Sequence, residues 1–180
     1  MKRKVGIVID RLTNSIVEVA SGTSFETDLV LVGPDEIKKV HKKDKWRFNW
    51  KREFKEENHQ LYKLVLDGDI QIQGLISLQP MAQDLFIEMH LIENAPHNFG
   101  EHKQYEGVAG NMVAFACKRS FELGFDGFVA FTAKTKLVDH YIETLGAQVI
   151  YSQDRMGIFT PAAQNLVSLY YKDFFDGGQE

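Results

Sequence analysis

The chain is poor in the features that mark a disulfide scaffold, a membrane protein or a thiol enzyme. A single cysteine, Cys117, stands in 180 residues, so no intramolecular disulfide can form. Its apolar, helical surroundings predict a small buried hydrophobe rather than a nucleophile. No apolar run approaches the roughly 20 residues of a spanning helix, and the opening Met1-Lys2-Arg3-Lys4-Val5 lacks the hydrophobic stretch of a signal peptide. A cytoplasmic protein without membrane contact is the expectation. Neither sign of charge dominates: the formal net charge is -4, which argues against a surface that attracts nucleic acid as a whole, because such binding rests on neutralising phosphates. Internal repeats and low-complexity linkers are missing. The histidines at 41, 59, 90, 97, 102 and 140 show no metal-ligand spacing, and Ser120 and Ser152 lack a nucleophile-elbow context. Neither a metal site nor a serine hydrolase is therefore expected.

What is present fits one globular core. Hydrophobic residues make up 44% and charged residues 26%, and the length is too short for two ordinary domains, so 1–180 is read as one domain. Two β-branched runs, 5–9 and 15–19, flank the turn-forming Thr13-Asn14 and predict a hairpin within an N-terminal β extension over 1–33. A strand at 28–32 precedes Gly33-Pro34-Asp35-Glu36, a helix entry, and charged helices are expected through much of 35–57. Runs at 61–66 and 70–78 flank the tight-turn signal Asp67-Gly68-Asp69 and should pair antiparallel. A third strand, 84–93, alternates so that Leu85, Ile87, Met89 and Leu91 face one way and Phe86, Glu88, His90 and Ile92 the other. A helix over 107–123 closed by Gly124, a strand at 127–131 and a helix over 136–145 closed by Gly146 follow, then a strand pair at 149–151 and 156–159. Thr160-Pro161 joins an N-cap residue to proline at the first helical position and opens a docked C-terminal helix, while 177–180 reads as a frayed end. From the meander onward the order is β-β-β-α-β-α-β.

The segment Gln104-Tyr105-Glu106-Gly107-Val108-Ala109-Gly110 stands between a strand with its loop and a helix. Amides at that position lack helical partners, and Gly107, Ala109 and Gly110 leave the backbone uncovered for a diphosphate favoured by the helix dipole. Small residues there also permit tight helix packing, so the turn alone decides little. Its place after a three-strand meander disfavours a dinucleotide-binding unit, which would carry an early β-α-β and a downstream ribose-binding acid.

In this context the chain resembles the GNAT superfamily of acyl-CoA-dependent N-acyltransferases, whose cofactor motif Gln/Arg-x-x-Gly-x-Gly/Ala is met in register by Gln104, Gly107 and Ala109. The resemblance spans 61–151 and matches the first 60 residues only loosely. It implies an α/β (α+β) fold, a mixed and mostly antiparallel sheet flanked by helices, with the N-terminal β-hairpin extension and the C-terminal helix added. It also implies acetyl-CoA as co-substrate. Amides of Tyr105, Glu106, Gly107, Val108, Ala109 and Gly110 would hold the diphosphate, and backbone at Leu91, Ile92 and Glu93 would pair with the pantetheine arm, placing the thioester beside Ile92. Family patterns place Asn seven residues before the helix tyrosine and end that helix Gly-Phe, whereas this chain has Lys134 and Gly146-Ala147.

Aminolysis of a thioester needs a neutral amine, and a lysine-like amine with a pKa of about 10.4 is mostly protonated at neutral pH. A base is therefore useful. The resemblance points to Glu88, with Glu93 the nearest rival and His90 behind both; a strand glutamate is otherwise simply solvated, and a strand histidine hydrogen-bonded. Tyr141 matches the family's general acid, and also fits the buried face of its helix beside Val138 and Leu145. The implied partner is an amine-bearing acceptor, small molecule or protein, and the expected assembly a monomer or homodimer. An alternative rests on 38–52, where Lys38, Lys39, Lys42, Lys43, Lys45, Arg47, Lys51 and Arg52 interleave with Trp46, Phe48 and Trp50. Such a segment could bind nucleic acid by charge and stacking, or be a solvated face anchored by its aromatics. The loop 94–100 is a further candidate wall for the acceptor.

Overall fold

The computed structural model describes residues 4–176. In chain order its elements are β1 (Ile16–Glu18), β2 (Ser24–Phe25), β3 (Thr27–Leu31), α1 (Pro34–Ile37), α2 (Trp50–Phe54), β4 (Gln60–Leu66), β5 (Gly74–Met81) and β6 (Phe86–Asn94). Then come β7 (Tyr105–Glu106), α3 (Val108–Glu122), β8 (Val129–Thr132), α4 (Val138–Leu145), β9 (Gln148–Val149), β10 (Arg155–Ile158) and α5 (Thr160–Tyr170). Seven strands form one sheet of order β3-β4-β5-β6-β8-β10-β9. Every pairing in it is antiparallel except β6 with β8, which is parallel because α3 crosses between them. A smaller sheet, β2-β1-β7, ties the N-terminal region to the entrance of α3.

The large sheet has a packed face on each side. On one, Met112, Val113, Ala116 and Cys117 of α3 meet Leu64, Ile76, Met89 and Ile92, with Leu166 and Val167 of α5 closing the layer. Met112 comes so close to the sheet that a Cβ on Gly74 would lie 2.7 Å from its methyl carbon. On the other face Trp46 and Trp50 pack with Leu61, Leu75 and Leu91. Trp50 is 1% exposed; burying so large a side chain stabilises by about 3 kcal/mol, which ties a segment with little regular structure to the sheet.

Several expectations change. Runs 5–9 and 15–19 do not pair: β1 lies between β2 and β7, while Val5 bridges in parallel to Ala133. The charged stretch 35–57 holds only two short α-helices and a single 3₁₀ turn, because its tryptophans are drawn into the sheet rather than arranged on a helical stripe. The strand expected from 70 begins at Gly74, and Ile70 is exposed. Thr160 does not cap α5; its hydroxyl donates to the Asp126 carbonyl at 2.6 Å. The predicted fraying at 177–180 lies outside the described residues. Among those described, no helix is long and apolar enough to cross a membrane.

The alternation expected along β6 also breaks. Ser77 pairs with Leu91 and Leu78 with Met89, so His90 is an extra residue, a β-bulge. A one-residue slip moves every later side chain to the opposite face. Ile87, Met89 and Ile92 consequently face α3, and Leu91 joins the tryptophan cluster.

Candidate active-site cleft

Beyond the bulge, β6 and β8 part. Their parallel pairing is limited to Ile87 with Val129 and Glu88 with Ala130, and the edges diverge into a wedge between residues 91–94 and 132–134. A cavity of about 980 Å³ opens there, lined among others by Ile92, Glu93, Asn94, Phe99 and Lys134. Of the residues expected along the pantetheine arm, Ile92 and Glu93 reach this cavity, whereas Leu91 points to the other core.

The turn at 104–110 does not itself line the cavity and adjoins it through Asp10, a lining residue. Gln104 donates its amide to the His97 carbonyl at 2.8 Å, and the Tyr105 amide donates to Asn98 Oδ1 at 3.1 Å. Tyr105 and Glu106 form β7 beside β1, and with the Tyr105 amide on Asn98 this stretch of backbone is already engaged. Gly107 then takes φ +84°, a left-handed conformation that a side chain would strain, and α3 begins at Val108. The amides of Val108, Ala109 and Gly110 are its first-turn donors. The Gly107 amide already carries an anion: it donates to Asp10 Oδ1 at 3.2 Å, and Lys103 Nζ meets Asp10 Oδ2 at 3.0 Å. The turn therefore holds negative charge, as a diphosphate site must.

Sequence reasoning missed Asp10, and with it the course of the N-terminal segment. Val5 donates to the Thr132 carbonyl at 2.7 Å and accepts from the Lys134 amide at 2.8 Å. Both bonds lie on the edge of β8 that faces β6, since the Ala133 amide points the other way, to Asp154 of the β10 side. The Ile7 carbonyl accepts from the Tyr141 hydroxyl, and the Ile9 amide donates to His140 Nε2 at 2.9 Å. Tyr141 is fully buried against Phe131, and burial raises its phenol pKa. Lys134 is exposed, and its side chain lies across Gly6.

The two glutamates have distinct settings. Glu88 is clamped by Arg155, with Nη1 to Oε2 at 2.8 Å and Nη2 to Oε1 at 2.5 Å, and this bidentate pair raises the arginine pKa. Glu93 lines the cavity and accepts from the amides of Arg47 at 2.7 Å and Phe48 at 3.3 Å and from Trp50 Nε1 at 2.8 Å. It fixes the 46–50 turn as the second wall. His90 stacks on His59 with centroids 3.8 Å apart and meets Gln79 Oε1 at 2.8 Å. His59 in turn contacts the buried Glu53 at 2.6 Å, which also accepts from Ser77. Glu53, invisible as a site residue in a charged stretch, anchors this polar cluster under the bulge.

The basic segment is divided by burial. Trp46 and Trp50 are in the core, so they cannot stack on bases. Lys45 and Arg47 reach the cavity, Arg47 lying 3.8 Å from the Phe99 ring centroid. Lys134 and Lys136 face them. Among the described residues these four cations have no carboxylate partner, whereas Asp10 is paired with Lys103 and Glu93 accepts from three N–H donors.

Solved structures share this architecture. A mutant of spermidine N-acetyltransferase from Vibrio cholerae matches 77% of this chain and 96% of its own length at 14% identity, with a TM-score of 0.53. Mutant forms of the spermidine/spermine N-acetyltransferase of the same organism match the same shares at 14% identity and 0.51. A chimera built on that enzyme covers 77% of this chain and 98% of its own at 15% identity and 0.50. No family model and no curated protein sequence matches the chain. At such identities the likeness is one of fold, and the mostly antiparallel sheet flanked by helices implied by the GNAT resemblance is the fold found.

Proposed function

We propose that the chain is an N-acyltransferase that moves an acetyl group from acetyl-CoA to a primary amine in the wedge between β6 and β8. The observation that carries this reading is that the cavity between the parted strands is lined by Ile7 and Asp10, the residues that the Tyr141 hydroxyl and the Gly107 amide bond. Acetyl-CoA supplies an activated carbonyl on a thiol leaving group. The turn amides from Gly107 to Gly110, helped by Lys103 and Lys134, would hold its phosphates, and the edge of β6 at Ile92 and Glu93 would align the arm. The acceptor nitrogen forms a bond to the carbonyl carbon as the carbon–sulfur bond breaks. The nitrogen's proton passes to Glu93 through water, and Tyr141 protonates the departing sulfur.

Glu93 is preferred over Glu88 on geometry. Glu93 lines the cavity with about one of its four acceptor positions still open beside its three N–H donors, whereas Glu88 is not among the lining residues and is held by the Arg155 fork. The structural neighbours are named for spermidine, a polycation. Lys45, Arg47, Lys134 and Lys136, which have no carboxylate partner among the described residues, repel such a molecule, so the reading here is a neutral or carboxylate-bearing amine acceptor.

Thiol release from acetyl-CoA across polyamines, neutral amines and amino acids tests this. Release with an acceptor that is not a polyamine is expected. Glu93→Gln should lower kcat/KM about 10²-fold or more, with Glu88→Gln within a few-fold of the parent. Equal losses in both variants would remove the preference for Glu93, and release with spermidine alone would overturn the acceptor class.

A further inference from the structure

The wedge is not simply open. Residues 5–10 run through it from the β8 edge to the turn, and two of their anchors, the Tyr141 hydroxyl and the Gly107 amide, are groups that the proposed chemistry uses. Val5 occupies the backbone edge at Thr132 and Lys134. The Ile7 carbonyl takes the hydrogen of Tyr141. Asp10 places a carboxylate on the Gly107 amide and on Lys103. Beyond it, Leu12 and Thr13 lie over Gly110 and Gly107, and the Thr13 amide donates to Tyr170 of α5 at 2.9 Å. Nothing in ordinary packing requires a carboxylate and a backbone carbonyl to meet an anion-binding turn and a catalytic hydroxyl. Those are the contacts of a ligand.

We infer that residues 5–10 are an intramolecular ligand of the cofactor cleft, a strap that acyl-CoA must displace before the enzyme can act. This rests on the acyl-CoA reading given above. Asp10 stands where a diphosphate would sit, and the extended backbone from Ile9 to Val5 stands where a pantetheine arm would lie. The strap's bonds to the cleft are few: the bridge at Val5, the Tyr141 hydroxyl on Ile7, the Ile9 amide on His140, and Asp10 on the Gly107 amide and Lys103. Ile7 is half-buried and Val8 is 58% exposed, whereas Val5 and Ile9 are buried. Displacement therefore exposes two apolar side chains and leaves β1 onward paired in its own sheet. Strap and cofactor compete for one site, so apparent affinity falls in proportion to the fraction of molecules with the strap released.

Hydrogen exchange on the full chain, with and without coenzyme A, reads the competition directly. Saturating coenzyme A should speed exchange of the Val5 and Ile9 amides, which lose their acceptors, while protecting those of Val108 to Gly110. Asp10→Asn, which keeps the side-chain size and removes the ion pair with Lys103, and Val5→Pro, which deletes the donor to Thr132, should each bind coenzyme A about tenfold tighter than the parent by calorimetry. Binding that protects residues 108–110 with unchanged exchange at 5–9 and equal affinity in the variants would overturn the strap and leave the acyl-CoA reading standing. No binding by the parent or by either variant would overturn the acyl-CoA reading, and the strap as its competitor with it.

Discussion

Tyr141 is the residue on which packing and proposed chemistry meet. Its ring is fully buried edge-on to Phe131, and its hydroxyl donates to Ile7. Desolvation raises its pKa above the usual phenol value, as it does for the half-buried Tyr171. A raised pKa in the folded chain means that the folded state keeps a proton the unfolded state has lost. The contribution to stability is thus full below about pH 10 and is lost as pH rises toward the folded value, at about 1.4 kcal/mol per pH unit for each such group. Tyr141→Phe should cost about 1–3 kcal/mol at neutral pH, since the Ile7 carbonyl loses its donor, and should flatten the alkaline decline. Urea unfolding at pH 8 and pH 11 measures both; a decline as steep in the variant as in the parent would mean that Tyr141 does not titrate in this way. The residue's position was readable from helical spacing and family likeness, and so were Gln104 and Gly107. Asp10 was not, because a carboxylate in a loop carries no periodic signal and its partner lies 97 residues away.

At the level of elements, the meander, α3, β8, α4 and α5 were legible because each has a period and a terminator: alternation in the strands, Gly124 and Gly146 at helix ends, Pro161 at a helix start. Two elements misled. β6 alternates cleanly in sequence, yet the bulge at His90 reverses the faces of everything after it, and a bulge of ordinary residues has no signature. The basic stretch 38–52 has helix-like composition, but its structure is set by tertiary contacts, the burial of Trp46 and Trp50 and the three bonds to Glu93. That wall should be brittle at one point. Trp50→Phe removes the Nε1 donor from a buried carboxylate and leaves unfilled volume, a loss of about 2–4 kcal/mol in denaturant unfolding. A loss under about 0.5 kcal/mol would mean that Glu93 is held by the backbone amides alone.

For the whole molecule, the sheet opens at one place and the chain fills that opening with its own N-terminal segment. The first 60 residues provide this strap, two of the four cations of the wall, Lys45 and Arg47, and two strands of the small sheet that braces the turn. What is general in the architecture and what is particular to this chain therefore meet in the wedge. Backbone amide resonances followed by nuclear magnetic resonance during titration with coenzyme A would test the central claim most directly. Shifts are predicted at Val5 through Asp10, Ile92 through Asn94 and Gly107 through Gly110, and at the strap's partners Lys103, Thr132, Lys134, His140 and Tyr141. Saturable shifts elsewhere, with these three segments unmoved, would contradict it.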